Sequence, residues 1–169
     1  MSTENLSNKE GIKKLKELAE KARICLFCTN LDEQPVSTRP MSLQEVDEEG
    51  NLWFISSKES NKNFDIKADK KVQLFFSNNS DSEYLSVYGD AYIYTDQATI
   101  DEKWSAFAKP WFDEGKEDPA VTIIRVQPSE SYYWDTKAGK MVSILSFAFA
   151  VIAGKETDNS DGIEGKIKI

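Results

Sequence analysis

Apolar and polar residues follow two different periods along the chain, first that of a helix and then that of strands. The helical pattern repeats every three to four residues and is carried by Ile12, Leu15, Leu18, Ala19 and Ala22. It predicts an amphipathic helix over residues 8–21, with its apolar stripe packed on the rest of the domain.

After this helix, short runs rich in β-branched and aromatic residues are separated by acidic or glycine-containing turns. They predict strands near residues 23–30, 35–45, 51–56, 71–78, 84–94, 120–126 and 131–134. Helical patterns interrupt the strands at residues 60–68 and from residue 96, and residues 109–119 are typical of a loop. This order favours a mainly β protein with helical additions, built as a small antiparallel barrel.

The end of the chain carries a weaker signal. Residues 143–153 fit a strand or a helix equally well, and residues 155–169 are polar and contain glycine. We therefore predict a single domain over residues 1–154 and a partly mobile tail over residues 155–169. A chain of 169 residues can bury about two-thirds of its unfolded surface in one domain.

Composition excludes several classes of function. The net charge of -8 and the pI of about 4.7 argue against general binding to nucleic acid or to anionic lipid. The chain has no histidine, which excludes histidine triads, histidine metal sites and histidine-ligated haem, and no metal site is predicted.

The longest apolar run, residues 141–153, is shorter than the roughly 20 residues of a membrane helix. Because the N-terminus does not resemble a signal peptide, we expect a cytoplasmic protein.

Two cysteines, Cys25 and Cys28, have the spacing of a redox motif. Their segment has the pattern of a strand, on which residues three apart point to opposite faces and lie about 10 Å apart. A disulfide needs Cα atoms within about 7 Å. We therefore predict buried strand thiols rather than a redox pair.

The first candidate for ligand chemistry is the strand around Arg39. An arginine in the middle of a strand needs a partner, and a phosphate suits its planar fork of donors. Pro40 has no backbone donor, which marks an edge or a bulge. A flat ligand could approach the backbone there, beside Met41 and Ser42.

The second candidate is the start of the helix predicted at residues 60–68. Lys62 lies in its first turn, shortly after Ser57 and Ser60, where free backbone N–H groups favour an anion. Hydroxyls and a lysine at this position make a plausible phosphate cradle. On this segment alone, capping by Ser57 or Ser60 with a solvated Lys62 is the simpler interpretation.

At these residues the chain resembles the pyridoxamine 5'-phosphate oxidase-like split-barrel flavoproteins, and specifically their general stress protein 26 subgroup. Four segments of residues 8–154 carry the resemblance: Ser37–Met41; Leu52–Ser56 with Lys62; Tyr84–Ala91; and Pro110–Pro119 leading to Tyr133–Asp135. The resemblance implies a six-stranded antiparallel Greek-key split barrel. It also implies a homodimer that holds FMN in two clefts between the subunits.

The family pattern assigns roles to individual positions of this chain. Arg39 and Lys62 would hold the FMN phosphate, and Trp134 would approach the flavin from the partner chain. The remaining positions expected to contact the cofactor fall into two groups: Pro40, Met41 and Ser42 along the flavin ring, and Ile55, Ser56, Ser57 and Ser60 on the next strand and near the ribityl chain and phosphate.

Three departures separate this chain from the true oxidases. Gln44 stands where they have a second basic residue, and Asn61 stands where an arginine usually precedes the family lysine. After Trp134 the arginine–histidine motif that holds the pyridoxal substrate is missing. These departures disfavour oxidation of vitamin B6, and they leave no catalytic acid or base that can be named.

The leading hypothesis is therefore a homodimeric FMN protein, a stress-related flavin oxidoreductase that acts on an unknown small substrate. Three alternatives stay open at this point. The protein could bind or sense flavin without turnover, or it could hold a deazaflavin or a nicotinamide nucleotide in the same cleft. It could also be an empty structural dimer in which Arg39 pairs with a carboxylate. No nucleic-acid or membrane partner is expected.

Overall fold

The computed structural model describes residues 2–136 and 162–168. In chain order, its elements are β1 (Ser2–Thr3), β2 (Leu6–Ser7), α1 (Asn8–Ala22), β3 (Ile24–Thr29), β4 (Ser37–Val46), β5 (Leu52–Ser57), α2 (Asn61–Ala68), β6 (Lys71–Asn78), β7 (Glu83–Tyr94), α3 (Gln97–Lys103), two 3-10 turns (Ala106–Trp111 and Gly115–Glu117), β8 (Val121–Thr136) and β9 (Gly162–Lys168). The helices and the first five predicted strands are confirmed to within a few residues. The segment expected to be a loop at 109–119 contains the end of the first 3-10 turn and all of the second.

Six strands, β3 to β8, close into a barrel in the order β8, β5, β4, β3, β6, β7. Every neighbouring pair in this ring is antiparallel, and the pairing of β7 with β8 closes it. The prediction of a mainly β fold with a six-stranded antiparallel barrel is therefore confirmed.

The two strands predicted at 120–126 and 131–134 are one continuous strand, β8. Its first part pairs with β5, and most of its length pairs with β7. The polar stretch around Pro128 has the composition of a turn, which is why two strands were expected. In the fold, Pro128 lies opposite Gly89, where a register shift in the β7–β8 ladder accommodates a residue without a backbone donor.

The strand β9 was not predicted. It pairs antiparallel with the end of β8 and parallel with β1 and β2. Ile167 is buried, and Gly165 lies so close to the backbone of Glu4 that a Cβ atom would not fit. The ambiguous segment 143–153 lies outside the described residues, and the domain limit at residue 154 stays a prediction.

The main core fills the barrel and the space under α1. At its centre the rings of Phe27 and Phe54 meet edge to face, with their centroids 5.4 Å apart. A second apolar cluster lies outside the barrel, where α3 and the first 3-10 turn cover β5 and β8. We call it the outer cluster; its buried members are Trp53, Ile100, Ala108, Phe112, Val121 and Ile123.

Within the described residues, no helix is both long enough and apolar enough to cross a membrane. The cytoplasmic location stays a prediction.

Substitution of Gly89 by alanine tests the closure of the barrel. A Cβ atom there would lie 2.2 Å from the carbonyl oxygen of Gln127 and 2.9 Å from Cα of Pro128, both backbone atoms. We expect Gly89→Ala to lower the free energy of unfolding by about 1–3 kcal/mol, measured by urea denaturation. The exposed Ser129 provides the control, because Ser129→Ala should change stability by less than about 0.5 kcal/mol. Equal stability of both variants would show that the β7–β8 ladder can accommodate a Cβ atom at position 89.

Candidate functional site

Arg39 reaches from β4 towards the end of the barrel that α2 covers. Its Nη1 donates to Oγ1 of Thr29 at 2.6 Å and to the carbonyl oxygen of Phe27 at 3.4 Å. Its Nη2 lies 3.4 Å from Oδ2 of Asp65 on α2. Arg39 thus contacts a carboxylate, as expected if the protein were an empty structural dimer. These contacts occupy only three of the five N–H donors of the guanidinium group, so two donors remain for a ligand.

Asp65 also fixes the partners of Arg39. Its Oδ2 accepts a hydrogen bond of 2.5 Å from Thr29, and its Oδ1 accepts one of 3.0 Å from Asn30. Thr29 is fully buried, so the cluster joins β3, β4 and α2 at one end of the barrel. The guanidinium of Arg39 is therefore held in place before any ligand binds.

Lys62 brings a second positive charge to the same place. Burial lowers the pKa of its ammonium group, and the neighbouring charge of Arg39 lowers it further. Within residues 2–136 and 162–168, Lys62 makes no ion pair or hydrogen bond that would compensate this cost. The structure thus brings Arg39 and Lys62 together, as predicted, and leaves one of the two cations without an anion.

The serines before α2 divide between the interior and the surface. Ser56 is buried, and its hydroxyl donates to Oδ1 of Asn63 at 2.9 Å. Asn63 donates in turn to Thr122 of β8 at 2.8 Å, which fastens the start of α2 to the barrel. Ser56 therefore stabilises the start of α2 from the interior, and its hydroxyl already donates its hydrogen bond within the protein.

Ser57 and Ser60 are only half-buried and lie at the start of α2. Ser60 occupies the N-cap position, yet its hydroxyl donates to the carbonyl oxygen of Ser57 at 2.7 Å instead of accepting from the helix. The interpretation as ordinary capping by Ser60 is therefore wrong. Ser57 accepts a bond of 3.3 Å from the backbone N–H of Glu59, so it caps the turn and not the helix.

A separate cleft of about 550 Å³ lies on the outer surface of the barrel. Pro40, Met41 and Ser42 form one wall, and Phe107 and Trp111 of the first 3-10 turn stand at the other. Arg39 is absent from its lining. Pro40 and Ser42 face the side of β4 opposite to Arg39, whereas Met41 is on the same side as Arg39 and also packs against the main core.

Two predicted residues lie away from both places. Ile55 packs against the outer cluster and is half-buried. Trp134 lies near the end of β8, paired with Tyr84, and its ring is 4.7 Å from that of Tyr132. Within the described residues, Trp134 lies away from Arg39 and from the cleft. The role expected for it, which is to approach the flavin bound by the partner chain, stays a prediction.

Several residues of the site were missed. Asp65 and Asn63 carry no signal in the sequence, since they matter only through contacts with β3, β4 and β8. Phe107 and Arg23, which also line the cleft, lie on segments whose position depends on the folded barrel. Trp111 lines it too and belongs to the segment Pro110–Pro119 that carries the family resemblance. The high exposure of Phe107 and Trp111, at 82% and 75%, is visible only in the structure.

The two cysteines of β3 lie in the interior. Cys25 and Cys28 are both buried and unpaired, which confirms the prediction of strand thiols. Burial raises the pKa of Cys25 to about 12, so its thiol stays protonated at neutral pH.

With this geometry established, the sequence identifies the class of protein. The chain belongs to the pyridoxamine 5'-phosphate oxidase like family, whose sequence model matches residues 10–158. The family resemblance stated above is thereby confirmed.

Individual relatives agree with this assignment. Protein bli-3 of Neurospora crassa is 31% identical over 127 residues, which make up 70% of this chain and 61% of that protein. The chain therefore spans less than two-thirds of the length of this curated relative.

Two solved structures share the fold. A candidate general stress protein 26 from Jannaschia sp. CCS1 matches with a TM-score of 0.72 and 23% identity, covering 95% of this chain and 96% of the other. The general stress FMN/FAD binding protein of Xanthomonas citri matches with a TM-score of 0.65 and 23% identity, covering 76% and 90%. At these identities the likeness establishes the fold alone.

Proposed function

We propose that this protein binds FMN, with the phosphate between Arg39 and Lys62 and the flavin ring along Pro40, Met41 and Ser42. The observation that carries the proposal is the uncompensated charge of Lys62 beside Arg39. A phosphate dianion would neutralise both cations and accept the donors that Arg39 still has free. Lys62 also lies in the first turn of α2, where the positive end of the helix dipole favours an anion.

Relatives support the choice of ligand. The match from Xanthomonas citri is described as an FMN/FAD binding protein, and a pyridoxamine 5'-phosphate oxidase-related match from Nostoc punctiforme as FMN binding. In the present chain, Arg39 and Lys62 together form one binding site for a phosphate group of a flavin nucleotide. We infer FMN rather than FAD because a terminal phosphate monoester carries the larger charge at that point.

We further propose that the protein is a homodimer with the flavin cleft between the subunits. Leu26 of β3 lies opposite Pro40 on one side and Phe75 on the other, and together these form an apolar row across the outer face of the barrel. Leu26 and Phe75 are 51% and 47% exposed. A closed barrel has no free edge to pair, so association would use such a face.

In the proposed reaction class, the protein is a stress-related flavin oxidoreductase for a small substrate. A bound flavin would supply hydride or electron transfer, while the chain would hold its phosphate and shield its ring. No histidine is present, and Cys25 stays protonated, so the redox chemistry would come from the cofactor.

Replacement of Lys62 tests the phosphate site. We expect Lys62→Gln to weaken FMN binding roughly tenfold to a hundredfold, because a charge-assisted contact is worth about 1.5–3 kcal/mol. Binding of riboflavin, which lacks the phosphate, should change little. Both affinities can be measured by quenching of flavin fluorescence. Lys67→Gln, at an exposed position of the same helix, is the matched control. An equal loss for FMN and riboflavin would contradict the assignment, as would full FMN affinity in the folded variant.

A charge placed in the apolar row tests the dimer. We expect Leu26→Glu to convert the protein to a monomer in light scattering at micromolar concentration, since a buried carboxylate without a partner is costly. Affinity for FMN should fall with it, because half of the cleft would be lost. Val36→Glu changes an exposed apolar residue outside the row and should leave a dimer. A monomeric wild-type protein would refute this part of the proposal.

Steady-state turnover tests the reaction class. With FMN bound, NADH or NADPH should bleach the flavin absorbance, and a quinone acceptor should restore it over many cycles. FMN binding without any turnover across several donors and acceptors would favour the alternative of a flavin-sensing module.

A further inference from the structure

A second pocket, of about 330 Å³, lies beside the turn that joins β4 to β5. We call it the β8 pocket. One of its walls belongs to β8 and the other to the turn; the lining residues are Arg125, Gln127 and Pro128 on β8, and Glu49 and Asn51 on the turn. It shares no lining residue with the cleft formed by β4 and the first 3-10 turn.

The β8 pocket lies on another side of the barrel from the row proposed for the dimer. In the ring of six strands, β8 and β3 are separated by two strands in either direction, so they lie on opposite sides. Arg125 belongs to the outer face of β8, because its neighbours Ile124 and Val126 point into the main core. Leu26, at the centre of the apolar row, is on β3. A ligand of the β8 pocket would therefore occupy a separate site.

The side chain of Arg125 is held against two tyrosine rings. Its guanidinium carbon lies 5.0 Å from the ring centroid of Tyr92 and 5.5 Å from that of Tyr94. Both rings are on the same face of β7, because the two residues are two positions apart. The Nε atom of Arg125 is buried and has no hydrogen-bond partner. Stacking on the rings orients the guanidinium group and leaves its in-plane N–H donors unsatisfied.

Arg125 also lacks a counter-ion in the part of the chain that the structure describes. Across residues 2–136 and 162–168 its guanidinium makes neither an ion pair nor a hydrogen bond. Glu49 lines the same pocket and forms no ion pair with it. A half-buried guanidinium group that has lost water at Nε gains from a bound anion, because charge-assisted hydrogen bonds replace the lost hydration.

The opposite wall of the pocket is fixed by Asp47. Its Oδ1 accepts from the backbone N–H groups of Glu49 and Asn51, at 3.0 and 2.8 Å. Its Oδ2 accepts from Nδ2 of Asn51 at 3.0 Å and from Nε1 of Trp53 at 2.8 Å. Asp47 is thus used inside the turn, and its hydrogen bonds hold Glu49 and Asn51 at the pocket.

The turn offers acceptors to the pocket. Asn51 is only 7% exposed and yet lines it. While Nδ2 of Asn51 donates to Asp47, no group among the described residues donates to its Oδ1. The carboxylate of Glu49 lies beside this oxygen. The turn side of the pocket is therefore negative and rich in acceptors, whereas the β8 side carries a cation.

We propose that the β8 pocket binds a small zwitterion, a molecule that carries one carboxylate and one ammonium group, as amino acids do. The carboxylate pairs with Arg125, and the ammonium group faces Glu49 and Oδ1 of Asn51. A ligand with negative charge alone would meet Glu49, and a ligand with positive charge alone would meet Arg125. The two walls therefore select a ligand that carries both charges. The amide of Gln127 supplies a further donor and acceptor.

The test compares three probes of the same chain length: 4-aminobutyrate, butyrate and butylamine. Binding to the full chain is followed by NMR through the indole N–H signal of Trp53, which donates to Asp47 in the wall of the pocket. We expect 4-aminobutyrate to bind at least about tenfold more tightly than either singly charged probe, because only this probe forms both charge-assisted pairs. Equal binding of 4-aminobutyrate and butyrate would reveal a plain anion site and overturn the proposal, as would the absence of any binding.

Two variants assign the charges. Arg125→Gln should remove the preference for 4-aminobutyrate over butylamine, and Glu49→Gln should remove its preference over butyrate. Glu49 is exposed on a turn, so Glu49→Gln still tests the proposal if Arg125→Gln fails to fold. An unchanged preference over butyrate in Glu49→Gln would contradict the pairing.

Matched controls separate the pocket from the general field of the protein. Glu48→Gln removes the same charge from the neighbouring position of the turn, where the side chain is 99% exposed and outside the pocket lining. Lys13→Gln removes a positive charge from an exposed position of α1. Both variants should keep the tenfold preference. A loss as large as that in Glu49→Gln or Arg125→Gln would attribute the preference to the overall charge, and the proposal would be wrong.

The phosphate-site variant Lys62→Gln separates this proposal from the proposed function. It should bind 4-aminobutyrate as tightly as the wild-type protein does, whatever its affinity for FMN. Binding that survives in Lys62→Gln and is lost in Arg125→Gln supports the β8 pocket even if the protein does not bind FMN. Binding that is lost in Lys62→Gln and kept in Arg125→Gln would place the probe at the phosphate site and refute the pocket.

Discussion

The pairing of β7 with β8 is the constraint on which the rest of this structure depends. β8 pairs with β5 on one side and with β7 on the other, which closes the barrel, while β9 extends the sheet at its far end. Closure fixes β4 between β3 and β5, and it therefore decides that Arg39 faces the end covered by α2 while Pro40 faces outward. It also removes the free edges of the six barrel strands, whereas β1 and β2 form the outer edge of the sheet in the described residues.

The two cations of the candidate phosphate site, Arg39 and Lys62, are held in different ways. Arg39 is fixed through Thr29 and Asp65, so it loses little freedom when an anion arrives. Lys62 is half-buried and has no compensating anion within residues 2–136 and 162–168, which makes its charged form costly in the folded chain. A half-buried cation without an anion in the described part of the chain is a candidate for a ligand site.

The barrel strands could be predicted because their signal is local: alternation of side chains and turn chemistry both act within a few residues. The continuity of β8 could not, because it depends on the meeting of Pro128 with Gly89 across the ladder. For β9, the alternation of Ile163, Gly165 and Ile167 was present in the sequence, but glycine and the charged neighbours concealed it. Arg39 and Lys62 could be proposed from residue type, position and the family resemblance. Asn63 and Asp65 were not, since their role consists entirely of contacts with residues distant in the chain.

The overall acidity of the chain and its local cations act together. At long range a net charge of -8 disfavours the approach of anions, so an anion gains only where a cation is fixed and partly desolvated. Arg39 with Lys62 provides such a point at the end of the barrel that α2 covers, because Arg39 is held by Thr29 and Asp65 and Lys62 is half-buried.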